Sequence, residues 1–324
     1  MEGSGFQSTV VPARTGTYVR WFADGNRRDR YTFPSAARHV TFGVTVAVHR
    51  KSGGTSAEFI RLLGDDAATT HITLGMDSNG RLIVRRGLAG TVLGQTDINV
   101  LPHSGFRQVE VKVTLSDTVG AVELRVDGKV PSGWSDLSGV DTKNGGTATV
   151  FDTVHVYGGG VEWYADDLVI WNGAGSINNN FFGVTRVYSC HPNGNGAYSE
   201  LVGSDGNSVD NYLQVDESTP YSIADYNGSA TVGNKDSYAF ADLPVATGNV
   251  RGVIVSMIAF ASDGGAKSIR ALARRAAVDA TGADFTLSTS PAVCDQVWEV
   301  DPTDAAAWTV TRVNASEFGA EART

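Results

Sequence analysis

Acidic pairs are where hydrolytic chemistry would begin in this chain. Retaining cleavage of a glycosidic bond needs two carboxyl groups about 5–5.5 Å apart. Residues i and i+2 of a strand share a face, so an E-x-D-x-E run would supply them. The nearest match is Trp298-Glu299-Val300-Asp301-Pro302, which lacks the last glutamate and runs straight into proline. It reads as a strand end followed by a turn. Glu123, Arg125 and Asp127 also share a face, and they read as charges pairing on a solvated strand. Asp166 and Asp167 differ, because they interrupt the apolar run WYADDLVIW (163–171), where an unpaired charge is costly. Two arrangements remain open for them. In one, Asp152, Asp166 and Asp167, with carbonyls near Gly158–Gly160, contribute to the roughly six to eight oxygens around a calcium ion. In the other, one acid pairs with an arginine and its neighbour reaches solvent.

Other catalytic constellations are missing from the sequence. The six histidines (39, 49, 71, 103, 155, 191) have no metal-ligand spacing, and His39 and His49 would stand roughly 33 Å apart on one strand. No H-E-x-x-H, G-x-S-x-G or G-x-x-x-x-G-K-[ST] motif occurs. Cys190 and Cys294 form no C-x-x-C pair, which excludes a zinc knuckle; two reduced thiols are expected, with one long-range disulfide as the alternative. The basic clusters Arg27-Arg28-Asp29-Arg30 and Arg85-Arg86 suit a solvated surface or contact with an acidic neighbour. Tyr188, Tyr198, Tyr212, Tyr221 and Tyr226 lie in or near polar, glycine-rich stretches. Tyrosine among Asn, Gly and Ser makes adaptable contact surface for a protein or a sugar. The same rings would also serve to anchor long loops.

The elements that must position these residues read as strands. In HVTFGVTVAVH (39–49), Val40, Phe42, Val44, Val46 and Val48 alternate with polar or small residues. That period of two suits a strand and not a helix. Phe106–Leu115 and Ala121–Asp127 alternate likewise, and Asp127-Gly128 marks a tight hairpin. Further strands are expected at Phe59–Leu63, Ile72–Met76, Leu82–Arg86, Thr147–Val156 and Trp163–Trp171, with Asn79-Gly80 as another hairpin turn. The run NGAGSINNN (172–180) then breaks the pattern. Beyond it, strands are expected at Thr185–Cys190, Ser237–Leu243 and Val250–Phe260, the last apolar on both faces as in a central strand. Lys267–Val278 reads as a strand, with a helix as the alternative, and a short helix is expected at Val313–Phe318, capped by Thr311 and ended by Gly319.

Composition agrees. The 324 residues are 41% apolar and 19% charged, with 38 glycines, as in a turn-rich β protein with a sizeable core. A net charge of −9 argues against nucleic acid and anionic membranes as partners. No apolar run reaches the roughly 18 residues of a membrane span. The start, Met1-Glu2-Gly3-Ser4-Gly5, lacks the features of a secretion leader, so folding in a cytoplasm is expected. The expected fold is all-β: an antiparallel sandwich over residues 1–175, its first 40 residues an uncertain arm, then a smaller β-rich domain over 181–324.

The segments VEVKVTL (109–115), AVELRVDGK (121–129) and WYADDLVIWN (163–172) resemble the laminin-G-like, or concanavalin-A-like, sandwich superfamily, in which calcium sites lie at the rim. The longer stretches at 166–200, GNKDSYAFADL (233–243) and VWEVDPTDAAAWTVTRVNASEFGAE (297–321) resemble tailed-phage virion proteins that join such a sandwich to a second β region. That resemblance implies a non-enzymatic particle component, on the virion exterior, in the tail or adsorption apparatus or as a capsid decoration. It implies other virion proteins as partners and a homo-oligomer, with a trimer suiting the symmetry of such appendages. It carries over no catalytic residue. A lectin-like module for host surface glycans, built on the five tyrosines, is the alternative.

Overall fold

The computed structural model describes residues 2–3, 6–8, 14–15, 19–22, 28–33, 35–50, 56–66, 69–158, 162–217 and 222–323. The chain forms two compact units, Met1–Tyr188 and Ser189–Thr324. The division falls after the asparagine-rich run expected to separate the domains, and the reason is that residues 181–188 are bound to the first unit.

The first unit contains strands β1 (Glu2–Gly3), β2 (Phe6–Ser8), β3 (Val19–Phe22), β4 (Arg28–Thr32), β5 (Thr41–Arg50), β6 (Ser56–Gly64) and β7 (Thr70–Asp77). It continues with β8 (Leu82–Arg86), β9 (Thr91–Gln95), β10 (Arg107–Thr114), β11 (Gly120–Val126), β12 (Leu137–Val140), β13 (Phe151–Tyr157) and β14 (Trp163–Asn172). Among the described residues these make two seven-stranded antiparallel sheets. Sheet A has the order β1-β4-β13-β6-β7-β8-β9, and sheet B the order β12-β11-β10-β5-β14-β3-β2. Their inner faces share one core. Val44, Val46, Val109, Val111 and Leu124 of sheet B meet Leu62, Ile72, Leu74, Val84 and Val154 of sheet A. The all-β antiparallel sandwich read from the alternation is the fold. Both expected turns are present, with Asp127 and Gly128 at φ 51° and 76° and Gly80 at φ 71°, the left-handed region that such turns require.

Strand β5 departs from a half-solvated strand, because Phe42 through Val48 are all buried. Its inner row Phe42, Val44, Val46, Val48 ends in buried Arg50, which donates to the carbonyls of Asp77 and Ser78. Its outer face is covered by Trp171 and the residues that follow β14. The Trp171 ring lies 5.9 Å from that of Phe182 and sits so close to Gly43 that an added Cβ would fall 2.0 Å from Trp171 Cε2. Glycine is required there by close approach, not by backbone conformation.

The second unit contains β15 (Pro192–Ser199), β16 (Val202–Gly203), β17 (Asn227–Gly228), β18 (Lys235–Phe240), β19 (Val253–Ala259), β20 (Lys267–Arg275) and β21 (Val278–Thr281). Then come β22 (Phe285–Leu287), β23 (Ala292–Trp298), β24 (Val300–Asp301), β25 (Ala306–Ala307), helix α1 (Val310–Asn314) and β26 (Ser316–Arg323). Its main sheet runs β15-β18-β26-β20-β21, with β22 also on β20. A small core of Ala271, Ala273, Trp298, Trp308 and Phe318 lies beneath it. Lys267–Val278 is strand, not helix, up to Arg275. Three expectations are corrected. Thr185–Cys190 is irregular, because its groups bind the outer face of sheet B in place of a strand partner. The short helix starts earlier, capped by Thr309, whose hydroxyl accepts the Arg312 N–H at 3.2 Å; Ser316 onward is a strand between β18 and β20. Val250–Phe260 is not a central strand, since among the described residues β19 pairs with β23 alone.

Gly43→Ala is expected to destabilise the sandwich by about 1–3 kcal/mol through overpacking against Trp171. A lowered thermal midpoint, read by tryptophan fluorescence, checks it.

Candidate functional site

Two stretches of the second unit, 200–217 and 222–229, carry Tyr212 and Tyr226, two of the five tyrosines proposed as contact residues. One buried carboxylate fixes both. Asp236 on β18 is fully buried; its Oδ1 accepts the backbone N–H groups of Glu200 and Leu201 at 2.8 and 2.9 Å. Its Oδ2 accepts from Asn211 Nδ2 at 2.7 Å and the Tyr238 hydroxyl at 3.0 Å. Asn227 Nδ2 donates to the Asn211 carbonyl at 2.7 Å and to the Tyr238 oxygen at 2.9 Å. Burial, and then the charge of Asp236, hold the Tyr238 phenol far above its ordinary range, so it remains a donor.

This network brings the backbones of Tyr212 and Tyr226 together through their neighbours Asn211 and Asn227. Tyr212 is half-buried, and its N–H donates to Asn195 Oδ1 at 3.1 Å. Tyr226 is 47% exposed. Around them Leu213, Ile223 and Val209 are exposed by half or more. Tyr198 is committed elsewhere. Its ring lies 5.0 Å from both Lys235 Nζ and Arg274 Cζ, and its hydroxyl donates to Asp279 at 2.9 Å. Tyr188 belongs to the first unit and Tyr221 lies outside the described residues. The exposed aliphatics and Asp236 were not marked by the sequence. Their only signal was the asparagines at 211 and 227, which read as turn formers.

The three aspartates considered for calcium are not brought together. Asp152 lies on β13 of sheet A, beside Arg38 at 3.9 Å. Asp166 and Asp167 lie on β14 of sheet B, where a register shift and a φ of 50° at Asp167 put both carboxylates to local use. Asp166 Oδ2 accepts the N–H groups of Arg14 and Thr15 at 2.8 and 2.9 Å. Asp167, buried, accepts the Val187 N–H at 2.8 Å and pairs with Arg14 at 3.0 Å. Gly159 and Gly160 lie outside the described residues. Among the described residues, no three His, Cys, Asp or Glu side chains are grouped to hold a metal ion.

Glu110 on β10 completes this attachment. It is fully buried, and its Oε1 accepts from Phe182 N at 2.8 Å, Gly183 N at 3.1 Å and Thr45 Oγ1 at 3.2 Å. Its Oε2 has no hydrogen-bond partner among the described residues, and burial pushes the carboxyl pKa up. The acid of the nearest glycosidase-like run is equally committed. Asp301 is buried; Arg275 and Arg312 hold it at 2.6 and 3.0 Å, and Thr303 donates to it twice. Those donors outweigh burial and keep its pKa below the usual carboxylate range. Glu299 is exposed. Glu123 and Asp127 likewise meet cations, Lys112 at 3.0 Å and Arg107 at 2.8 Å. Both thiols are free, Cys190 exposed and Cys294 buried.

No family model matches the chain, and no curated protein matches it in sequence. Among solved structures, a Trypanosoma rangeli sialidase in complex with 2,3-difluoro-KDN is similar over 50% of this chain at 15% identity and a TM-score of 0.34. A tetrameric galectin from the ball sponge Cinachyrella is similar over 45% at 11% identity and a TM-score of 0.31, and a Caenorhabditis elegans galectin over 47% at 8% and 0.29. The chain spans 26% of the sialidase but 99% and 96% of the two galectins. Likeness at this level assigns no activity.

Two outcomes are expected. Asp236→Ala removes the acceptor shared by four donors and should free both loops, so limited proteolysis between residues 200 and 230 accelerates at least several-fold while the sandwich stays intact. For Glu110, the folded carboxyl holds its proton to higher pH than the unfolded one. Its contribution is therefore fully present below the unfolded value, about 4.3, and is lost as pH rises through the folded one. Denaturant unfolding of wild type against Glu110→Gln should show the wild-type advantage largest near pH 4 and shrinking toward pH 7.

Proposed function

We propose that this chain is a non-catalytic assembly and surface-binding protein, working as an exterior structural component of a tailed-phage particle in its tail or adsorption apparatus. The stretches at 166–200, 233–243 and 297–321 support the particle assignment by resemblance. The observation that carries the assembly reading is the outer face of the β19–β23 ribbon. Its inner side packs Val253, Val255 and Met257 on the core of the second unit. Its outer side pairs Ile254 with Val297 and Ile258 with Val293, exposed by 43–63%, and Phe260 follows on the same side at 36%. Midway, Ser256 donates to Asp295 at 2.6 Å.

A second copy of the chain fits this face. The two Ile–Val pairs stand one step either side of the Ser–Asp pair, so a half-turn lays each isoleucine of one copy on a valine of the other. That is the self-complementarity an isologous contact needs. The five side chains offer about 400 Å² of apolar surface per copy, the size of the largest and often functional patch on a typical monomer. Two such faces with their polar centre approach the roughly 1,000 Å² of a stable interface. Paired copies follow from this face more directly than the threefold arrangement expected from the sequence.

Light scattering behind size exclusion tests it. Wild type should elute at twice the chain mass, and Ile254→Asp at the chain mass with unchanged circular dichroism. A monomeric wild type, or an oligomer indifferent to Ile254→Asp, overturns the reading. Gold-labelled antibody on intact particles tests the location: label on tail or fibres supports the adsorption role, and label over the head makes the chain a capsid decoration. Exposed Tyr226 beside Tyr212 favours a second reading, glycan contact on the loop platform; unchanged glycan binding by Tyr212→Ala/Tyr226→Ala removes it.

A further inference from the structure

Two histidines of sheet A are withdrawn from water. His71 on β7 is fully buried, with its ring 6.4 Å from that of Phe151. It packs so closely on Gly64 that an added Cβ there would fall 2.5 Å from its Nε2. Its Nδ1 accepts the Asn144 N–H at 3.0 Å, so the neutral ring carries its proton on Nε2. That bond holds the connection 141–149, whose Ala148 belongs to the core. Further ties are the Asn144 amide, donating to the Thr70 carbonyl at 3.3 Å, and the Thr149 N–H, donating to Asp65 at 2.9 Å. His155 on β13 is 8% exposed, and strand register sets it between Arg30 of β4 and Arg61 of β6. Nε2 of both rings is buried with no hydrogen-bond partner among the described residues.

Neither ring can charge in place. A second proton on His71 must go to Nδ1, the atom that accepts from Asn144, so the imidazolium and that bond exclude each other. A second proton on His155 would set a cation directly between two arginines, and like charges across neighbouring strands repel. Around His71, burial is the largest influence and holds its pKa below the ordinary value; Asp66 draws the proton, Lys143 repels it, and Asp65 and Asp117 draw it. Arg86 of β8, close by, is paired with Asp141. Around His155, burial and then Arg28, Arg30 and Arg61 push the imidazole down to about 4, while Glu58 meets Arg61 at 3.9 Å. Burial works against the Asp65 charge too, but the N–H groups of Thr149 and Val150 outweigh it and keep that carboxylate below its usual range. Asp65 therefore stays ionised where the histidines titrate.

We infer that sheet A is an acid-triggered latch: neutral His71 and His155 keep the connection 141–149 and the β4–β13 pair closed, and proton uptake opens them. The sign follows from linkage. Both folded values lie below the unfolded one, about 6.5, so the closed sheet keeps its full stability above that pH. Stability is lost as pH falls from there toward the folded values, about 4 for His155. Within that window opening grows about ten-fold per pH unit for each histidine, because the open sheet accepts a proton that the closed one refuses. Sheet B responds with the opposite sign. Burial raises its Glu110 and Asp167 carboxyls, so acid leaves the 181–188 segment in place. Acid therefore uncovers the core at Ala148 and Phe151 and leaves the covered face of sheet B closed. The latch does not depend on the assembly reading.

Hydrogen–deuterium exchange of the full chain between about pH 7 and about pH 4.5, corrected for the intrinsic rate, tests it. Protection at 141–149 and along β4 and β13 should fall by about ten-fold or more on acidification, while the 181–188 segment, β18 and β26 keep theirs. His71→Asn keeps an acceptor near the Nδ1 position without a titrating ring, so it should hold 141–149 closed to within about two-fold over the same range. His155→Gln should do the same for β4 and β13. Where a variant is too unstable to fold, the imidazole nitrogen resonances of the wild type decide, since His71 should remain the neutral Nε2–H tautomer until 141–149 opens. Three results overturn the proposal. One is protection that acid leaves unchanged. Another is either ring charging near its ordinary value, about 6.5, while sheet A stays closed. The third is equal acid opening in wild type and both variants, which would mark the carboxylates instead.

Discussion

A carboxylate withdrawn from water must be surrounded by donors, and this protein uses that requirement to fix its irregular chain. Asp236 gathers two backbone N–H groups, an amide and a phenol, and thereby holds two loops on one sheet. Glu110 and Asp167 together take the N–H groups of Phe182, Gly183 and Val187, and so lay the segment after β14 across sheet B. Asp301 takes two arginines and Thr303 next to helix α1. Removing a buried acid of this kind strands its donors, which costs more than the bonds alone contribute. Of the acids that might have suggested catalysis, Asp166, Asp167 and Asp301 are committed to holding the fold.

That constraint makes the two outer faces of the sandwich unlike. Sheet B is closed: Phe181 and Phe182 pack near Trp171, with Arg125 over the Phe181 ring at 4.6 Å, and Gly43 leaves room for the indole. On the far side of sheet A, Arg61 stands 3.9 Å from Glu58, and Arg61 Nε and His155 Nε2 are buried with no hydrogen-bond partner among the described residues. The same inner core supports both, so the difference lies in what the alternate residues of each sheet meet on the far side.

The second unit divides its apolar residues in the same way. Its core is small, and the β19–β23 ribbon gives one side to it. The other side keeps Ile254, Ile258, Val293 and Val297 exposed around a hydrogen-bonded Ser–Asp pair. It is this exposed side that the proposed pairing of two copies would cover.

The strand pattern was legible in the sequence wherever one residue in two had to be apolar: β5, β10 and β11, with the Asp127-Gly128 and Asn79-Gly80 turns, follow from local periodicity and turn chemistry. Periodicity says which residues share a face and not what covers that face. The apolar run of β19 therefore looked like a central strand, and the polar side of β10 gave no hint that Glu110 is buried. Tyr212 and Tyr226 were visible as contact candidates, but the acid that positions them was not, because Asp236 acts on residues 25 and more positions away. Arg30, Arg61 and Arg85 were separate residues in the chain. Only strand register, a property of pairing between distant segments, sets them across one sheet, and only the packed structure decides which charges are neutralised by neighbours and which stay exposed.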